Sequence, residues 1–377
     1  MDDINMIRNK KIVFCIDCLR KGGAERVVSV LANNLSIENN VYIMTIDKEK
    51  IQYKLNDNIS LIEIEKKYKK NNNPIMNKIF KLYKIIKKTK IMRKRFKSIK
   101  PDIIISFLPK ASFMSVMANR KKYKLIISDR NDPAKEYNNL IHYILMKLLY
   151  SEANGFVFQT NGAKEYFDNE INLTNKKVDI IVNPVNPSFE NYKNVANRKK
   201  KIISVCRLTE QKNIDLLIDA FYDLREKYKE YKLIIYGEGL LRDKLEDKIA
   251  KLKLTDQVKL PGIVDDVAYK IYDSSLFVLT SNYEGIPNAL IEAMVLGLPV
   301  IATDCPCGGP RMFIKNGENG FLINVNDKED LKKKMQLILD NTDIQNKISI
   351  NAKKIINEVR VDTIIDKWKK FIYSVIN

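Results

Sequence analysis

Histidine is all but missing from this chain: His142 is the single copy in 377 residues. Chemistry that needs a constellation of imidazoles, for proton relay or for holding a metal, has no material here. His142 itself lies in the apolar helical stretch IHYILMKLLY, where a lone imidazole has no partner, and it reads as structural. Cysteine is scarce as well, with five copies, an odd number in a long chain, which suits a reducing compartment better than a disulfide framework. Cys15 and Cys18 have metal-ligand spacing, but no second pair of that spacing accompanies them, so they read as small buried or loop residues, as do Cys305 and Cys307. No window approaches twenty uninterrupted apolar residues, and the start MDDINMIRNKK lacks the apolar block of an export signal. A cytoplasmic protein without a membrane span is the expectation. Asp-x-Asp, a spacing that suits a divalent ion, does not occur. Acids are absent from one long segment: between Lys66 and Lys100 there are fifteen Lys or Arg and no Asp or Glu, and this segment carries most of the net charge of +20.

What is present is 45% apolar residues, enough for well-packed cores, over a length that predicts two globular domains. Short β-branched runs alternate with helical stretches. KIVFCI (11–16), VYIMTI (41–46), ISLIEI (59–64), DIIISF (102–107), KLIISD (124–129), GFVFQT (155–160) and VDIIVN (178–183) form a first set. KIISVC (201–206), KLIIYG (232–237), VKLPG (258–262), LFVLTS (276–281), PVIATD (299–304) and GFLINV (320–325) form a second. That alternation predicts an α/β architecture of parallel sheets covered by helices. The polar, proline-bearing segment 183–201 reads as a linker, which gives domains at 1–187 and 188–358. A final helix, 359–377, has no strand after it and is expected to return to the first domain. Two such domains joined by one linker predict a cleft between the C-terminal ends of the two sheets.

The basic segment places apolar residues at 75, 79, 82 and 86 with lysines between them, the spacing of a helix with a basic face. A solvated surface helix, a peripheral anchor on anionic lipid and a nucleic-acid contact through the interleaved Phe80, Tyr83 and Phe96 are all readings of that pattern. No nucleic-acid module accompanies it, and peripheral membrane contact through 75–100 is the expectation taken forward.

Three places carry chemistry. Gly22 and Gly23 stand between the first strand and the first helix, where the missing side chains let a ligand approach the backbone and a helix N-terminus that favours phosphate. The spacing is not the dinucleotide pattern Gly-x-Gly-x-x-Gly. In VCRLTEQKNIDLL, Arg207 ends a strand and Lys212 precedes a helix, a pair of cations suited to a diphosphate. In SNYEGIPNALIEAM, Pro287 is expected at the first position of a helix, leaving the N–H groups of Asn288, Ala289 and Leu290 unpaired. Glu292, about a turn later, can accept both hydroxyls of a ribose, and Glu284 can accept hydroxyls of a sugar. Carboxylates repel a diphosphate, so the two acids read as hydroxyl acceptors flanking it.

These motifs, with GLPVIATDCPCGGPR and NGENGFLI after them, resemble glycosyltransferase family 4, retaining enzymes of the GT-B fold, over almost the whole length. The likeness extends particularly to bacterial transferases that build lipid-linked surface glycans or the oligosaccharide for protein glycosylation. It implies two Rossmann-like domains facing across a cleft, and a nucleotide-sugar donor, UDP-linked, as co-substrate without a metal or other cofactor. Carried over by position, Arg207 and Lys212 hold the diphosphate, Glu292 the ribose, and Glu284 with the backbone of Gly285, Ile286, Pro287 and Asn288 the transferred sugar, with Ala289 also at the donor. Gly22 and Gly23 come close to the diphosphate and Ile263 packs the base. The sequence departs from the family at Arg130 in SDRNDP, where many members have a histidine, and at Met312, where an acid is frequent. The resemblance therefore places Arg130 against sugar or diphosphate. The expected function is transfer of a hexose or N-acetylhexosamine to a lipid-linked saccharide, in the cytoplasm at the inner face of the membrane. The rival is a non-catalytic basic protein on nucleic acid or anionic lipid. An epimerase of similar fold needs histidines that the chain lacks.

Overall fold

A computed structural model describes residues 8–20, 22–64, 74–192, 195 and 197–377, with side chains omitted for 74–82. The chain divides into two compact units, Val185–Arg360 and the rest, so that Val361–Asn377 belongs with the N-terminal unit.

In the first unit the order is β1 (Lys11–Ile16), α1 (Gly23–Leu35), β2 (Asn40–Thr45), β3 (Ser60–Glu63), α2 (Pro74–Ile99), β4 (Ile103–Phe107), α3 (Pro109–Asn119), β5 (Lys124–Ser128), α4 (Pro133–Glu136), α5 (Leu140–Tyr150), β6 (Gly155–Phe158), α6 (Asn161–Ile171) and β7 (Lys177–Ile180). The second unit runs β8 (Lys199–Val205), α7 (Ile214–Leu224), β9 (Lys232–Tyr236), α8 (Arg242–Lys251), β10 (Val258–Gly262), α9 (Val267–Ile271), β11 (Ser274–Leu279), α10 (Asn288–Val295), β12 (Val300–Thr303), β13 (Phe321–Ile323), α11 (Lys328–Asp340), α12 (Thr342–Lys353) and α13 (Ile356–Val359). The last helix, α14 (Val361–Ile376), returns to the first unit.

Each strand coincides with one of the β-branched runs, and all neighbours pair in parallel, in the orders β3-β2-β1-β4-β5-β6-β7 and β10-β9-β8-β11-β12-β13. Central strands are buried on both faces, so they read as unbroken apolar runs: all five residues of β4 and all six of β11 are buried. Edge strand β7 alternates exposed and half-buried residues instead.

Right-handed crossovers between parallel strands put α2, α3, α5 and α6 on one face of the first sheet, where each contacts the next. Helix α3 is buried along nearly its whole length between α2, α5 and the sheet. The other face is covered by α1 and α14, which touch each other. Ile364, Ile365, Trp368, Phe371, Ile372 and Val375 recur at helical spacing and are all buried. Gly155 in β6 makes that contact close: a Cβ there would lie 2.9 Å from Val375 and 3.2 Å from Phe371. Among the described residues no helix is long and apolar enough to cross a membrane.

Candidate active site

Strand order locates the sites before any side chain is considered. In the second sheet the chain goes one way from β8 to β9 and the other way to β11, and the loops after β8 and β11 open a crevice at that switch point. Arg207 and Lys212 lie on the first of these loops and Glu284 on the second.

Lys212 ends a 3-10 turn, Glu210–Lys212, and Asn213 follows in the left-handed conformation, φ 45°, which Asn tolerates better than most residues. The turn aims the ammonium group at Glu284, and Lys212 Nζ pairs with Glu284 Oε1. Both side chains are largely buried, with 13% and 7% of their surface exposed. Ser281 Oγ donates to the same Oε1 at 2.6 Å. Among the described residues no hydrogen bond reaches Oε2; both partners of the carboxylate are on Oε1. An ammonium group has three N–H donors, so the Glu284 contact leaves Lys212 able to donate to a second acceptor.

The two loops are laced together by their own polar groups. Thr280 Oγ1 donates to the carbonyls of Lys212 and Asn213, both at 3.0 Å. Gln211 Nε2 donates to the Tyr283 carbonyl at 2.9 Å, and the Asn282 N–H to the Gln211 carbonyl at 2.8 Å. Arg207 is exposed and joins through Gln211, whose Oε1 accepts from Nη2 at 3.3 Å. From behind, Thr303 Oγ1 and Cys305 Sγ donate to the Ser281 carbonyl at 2.5 and 3.2 Å. Burial pushes the Cys305 thiol up to about 12 and the Cys206 thiol up to about 11, so both stay protonated at neutral pH and act as weak donors, not as nucleophiles.

The glycine-rich turn closes on the same loop. A Cβ on Gly309 would sit 1.7 Å from the Gly285 carbonyl oxygen, so only a glycine lets the Gly308–Pro310 turn press on Gly285 and Pro287, which are buried along with Ile286. Pro287 corrects one expectation. It is the residue that caps α10, not its first helical position, and its carbonyl accepts the Leu290 N–H at 3.0 Å and the Ile291 N–H at 3.3 Å. The Leu290 donor is therefore consumed inside the helix, because a residue with ψ 94° lies outside the helix while its carbonyl already accepts the first turn's bonds. Glu292 is half-buried one turn beyond Asn288.

Arg207 and Ile263 line one cavity of about 240 Å3 at the ends of β8, β9 and β10, together with Cys206, Tyr236, Gly237 and Glu238. The motif reading did not include the Tyr236–Gly239 turn. Its signal is the Gly-x-Gly spacing: Gly237 has φ +136°, and a Cβ on Gly239 would lie 2.2 Å from the Leu208 carbonyl oxygen. Ser281 and Thr280, equally unread, are ordinary strand-end residues by sequence, and their role appears only through their partners.

The remaining expected residues belong to the first unit. Gly22 caps α1; its N–H donates to Tyr53 Oη at 3.0 Å, and Tyr53 Oη donates to the Gly22 carbonyl at 2.7 Å. Gly23 is the first residue of α1. At that sheet's own switch point, between β1 and β4, Asp17 follows β1, while Asp47, after β2, pairs with Lys88 and Lys110. Burial pushes the Asp17 carboxyl up to about 6, against the pull of Lys110.

Arg130 is only 9% exposed and is turned into its own unit. Nη1 donates to Asn183 Oδ1 at 3.0 Å, and the guanidinium lies over the rings of Phe107 and Trp368, 5.0 and 5.5 Å from their centroids. Burial pulls it down to about 9, with Asp129 opposing. His142 is exposed on one side and meets the Phe113 ring edge-on. All five cysteines are free, and among the described residues no three His, Cys, Asp or Glu side chains gather to hold a metal ion.

The model of the family "Glycosyl transferases group 1" matches residues 187–355, the span that holds Arg207, Lys212, Glu284 and Glu292. The chain is 30% identical over 270 residues to an uncharacterized glycosyltransferase of Methanocaldococcus jannaschii, covering 66% of this chain and 65% of that one, just under two thirds of the relative's length. It is 28% identical over 370 residues, 97% of this chain and 99% of the other, to a Campylobacter jejuni enzyme named GalNAc-alpha-(1->4)-GalNAc-alpha-(1->3)-diNAcBac-PP-undecaprenol alpha-1,4-N-acetyl-D-galactosaminyltransferase. The solved Anabaena protein HepE, in complex with UDP, superposes with a TM-score of 0.76 at 18% identity, over 97% of this chain and all of that one, which establishes the GT-B fold. Residues 187–355 are thus similar to the group 1 glycosyl transferases, and the whole chain shares the GT-B fold.

Proposed function

We propose that the chain transfers a hexose or N-acetylhexosamine from a UDP-sugar to a lipid-linked saccharide, with retention at the anomeric carbon. The observation that carries this reading is the Lys212–Glu284 pair at the switch point of the second sheet. It sets a cation and a hydroxyl acceptor side by side, next to the cavity shared by Arg207 and Ile263. The lipid-linked acceptor follows the Campylobacter relative's name, and the uridine nucleotide follows the ligand solved in the Anabaena structure.

In this reading the base packs on Ile263, Glu292 accepts the ribose hydroxyls, and the diphosphate takes N–H donors from Arg207, Lys212 and the start of α10. Glu284 Oε2 accepts a hydroxyl of the transferred sugar. Its other oxygen is fixed by Lys212 and Ser281, so the carboxylate is oriented before the donor arrives. The bond from the anomeric carbon to the leaving phosphate oxygen breaks while the acceptor oxygen bonds to that carbon on the same face. The acceptor proton passes to the departing phosphate. Negative charge on that phosphate peaks in the transition state, where Arg207 and Lys212 stabilise it most. These cations supply the charge that a divalent ion would otherwise bring, so no metal is assigned. Arg130, folded into its own unit, acts by positioning the loop after β5.

The basic segment 75–100 makes the peripheral contact with anionic membrane. The side chains of Ile75, Ile79 and Leu82, which its helical spacing invokes, fall outside the described residues. The deciding experiment is a thermal melt with and without UDP, followed by donor hydrolysis across a panel of nucleotide sugars. UDP raises the melting temperature of a transferase through preferential binding to the native state. A melt indifferent to UDP and to every nucleotide sugar would leave a non-catalytic basic protein as the better account.

A further inference from the structure

Helix α5 breaks the ordinary rule of burial. Leu140, Ile141, Ile144 and Leu148 are 71%, 67%, 45% and 65% exposed, and their spacing puts them along one stripe. The helix is held along its other side: Tyr143 and the exposed Lys147 both bond Glu170 of α6, while Met146 and Tyr150 are buried. The helix is therefore firmly seated and still presents four large aliphatic side chains to solvent. A contiguous apolar patch of this kind on a well-packed element marks an interaction surface.

What surrounds the stripe selects its partner. Helices α2 and α5 flank the buried α3 on one face of the sheet, so the stripe and the basic helix share a layer. From Tyr83 to Lys100 there are nine Lys or Arg and no acid, and the turn after α3, Arg120–Lys124, adds four cations and no acid. Tyr83, Ile85 and Ile86 are themselves exposed among those cations. A second copy of the chain is a poor occupant, since a twofold interface pairs a patch with its own equivalent and would bring basic helix toward basic helix. A bilayer with anionic lipid offers the complement, negative headgroups beside an apolar layer.

We infer that α5 is an interfacial helix: Leu140, Ile141, Ile144 and Leu148 enter the headgroup–acyl boundary of an anionic membrane while α2 and the Arg120–Lys124 turn hold the headgroups. The inference rests on the lipid-linked acceptor reading, to which it adds the surface that docks. It divides the binding between the apolar stripe of α5 and the cations of α2 and the Arg120–Lys124 turn, so salt weakens only the part due to those cations.

The test uses the full chain and vesicles of phosphatidylcholine, alone or mixed in equal parts with phosphatidylglycerol. The mixed vesicles should bind at least tenfold more tightly. Ile141→Glu with Leu148→Glu should lower that binding at least tenfold, with an unchanged melting temperature because both side chains are exposed. Ile144→Trp provides an independent readout: the fluorescence of the introduced indole should be quenched by lipids brominated on the acyl chain. Unchanged vesicle binding in the double variant, an unquenched indole signal in the Ile144→Trp variant, or a dimer that the double variant splits would each overturn the assignment. Turnover on an acceptor with a short, water-soluble chain should be the same in wild type and double variant. Absence of turnover in both would count against the transferase reading, while the vesicle measurements would still decide the role of α5.

Discussion

The two units build the same kind of crevice and deploy their charges differently. In each, a parallel sheet reverses its winding and an acid follows a central strand at the switch point. In the second unit the acid, Glu284, has a cation to itself: Lys212 reaches it from the neighbouring loop, and Ser281 fixes the same oxygen. In the first unit the corresponding cations, Lys88 and Lys110, are both tied to Asp47, while Asp17 is left largely buried with one oxygen, Oδ1, unpaired. The second crevice is thus organised around an oriented ion pair, and the first around a carboxyl that burial pushes toward its neutral form. The family match, residues 187–355, falls within the second unit.

The comparison is broken most severely by removing the second crevice's cation. Lys212→Met should lower turnover about a hundredfold or more at saturating donor and acceptor, the scale on which single electrostatic stabilisers act. It also leaves Glu284 buried with Ser281 as its remaining partner, so a lower melting temperature should accompany the loss. Normal turnover in that variant would remove Lys212 from the reaction.

The first crevice should respond to pH through Asp17. Because the Asp17 carboxyl sits at about 6 in the folded chain, against 3.8 ordinarily, folding favours its protonated form. Its contribution to stability is complete below about pH 4 and is lost as pH rises to about 6; above that, ionised Asp17 costs on the order of 2 kcal/mol. Lys110 moderates the effect, while Asp47 and Glu25 add to it. Asp17→Asn should therefore be more stable than wild type at neutral pH and should flatten the stability profile between about pH 4 and 6, as measured by urea unfolding. An unchanged profile would mean that Asp17 is ionised and well solvated in the native chain.

Much of this was legible in the sequence because the signals are local. A buried parallel strand must be a short unbroken apolar run, and each of the thirteen runs from KIVFCI to GFLINV became a strand. Arg207, Lys212 and Glu284 were legible for a related reason: residues just after such runs stand at the sheet's C-terminal edge wherever the strands end up in the order. What escaped depends on partners distant in sequence. Nothing near Arg130 announces Trp368, whose ring lies under the guanidinium only because α14 returns to the first unit. Ser281 is one serine among many until Lys212 and Glu284 converge beside it. The exposed stripe of α5 was hidden for the opposite reason, since an apolar helical stretch reads as core, and burial is decided by neighbours that local periodicity does not reveal.

The glycines give the finest version of the comparison, and the smallest effect. Gly239 in the second unit faces backbone: its Cβ would lie 2.2 Å from the Leu208 carbonyl oxygen and 2.6 Å from its carbon, atoms that cannot move without shifting the strand end. Gly239→Ala should cost roughly 2 kcal/mol of stability, as overpacking of a fixed site does. Gly22 in the first unit faces only the carboxylate end of Glu25, which can swing aside, and its φ of −166° is open to any residue. Gly22→Ala should therefore change stability by less than about 0.5 kcal/mol. If the bareness of Gly22 serves a ligand, the same substitution should still weaken UDP-sugar binding, measured calorimetrically, because the added methyl group occupies the approach to the start of α1. Unaltered affinity would reduce Gly22 to a turn residue and leave donor binding to the second unit.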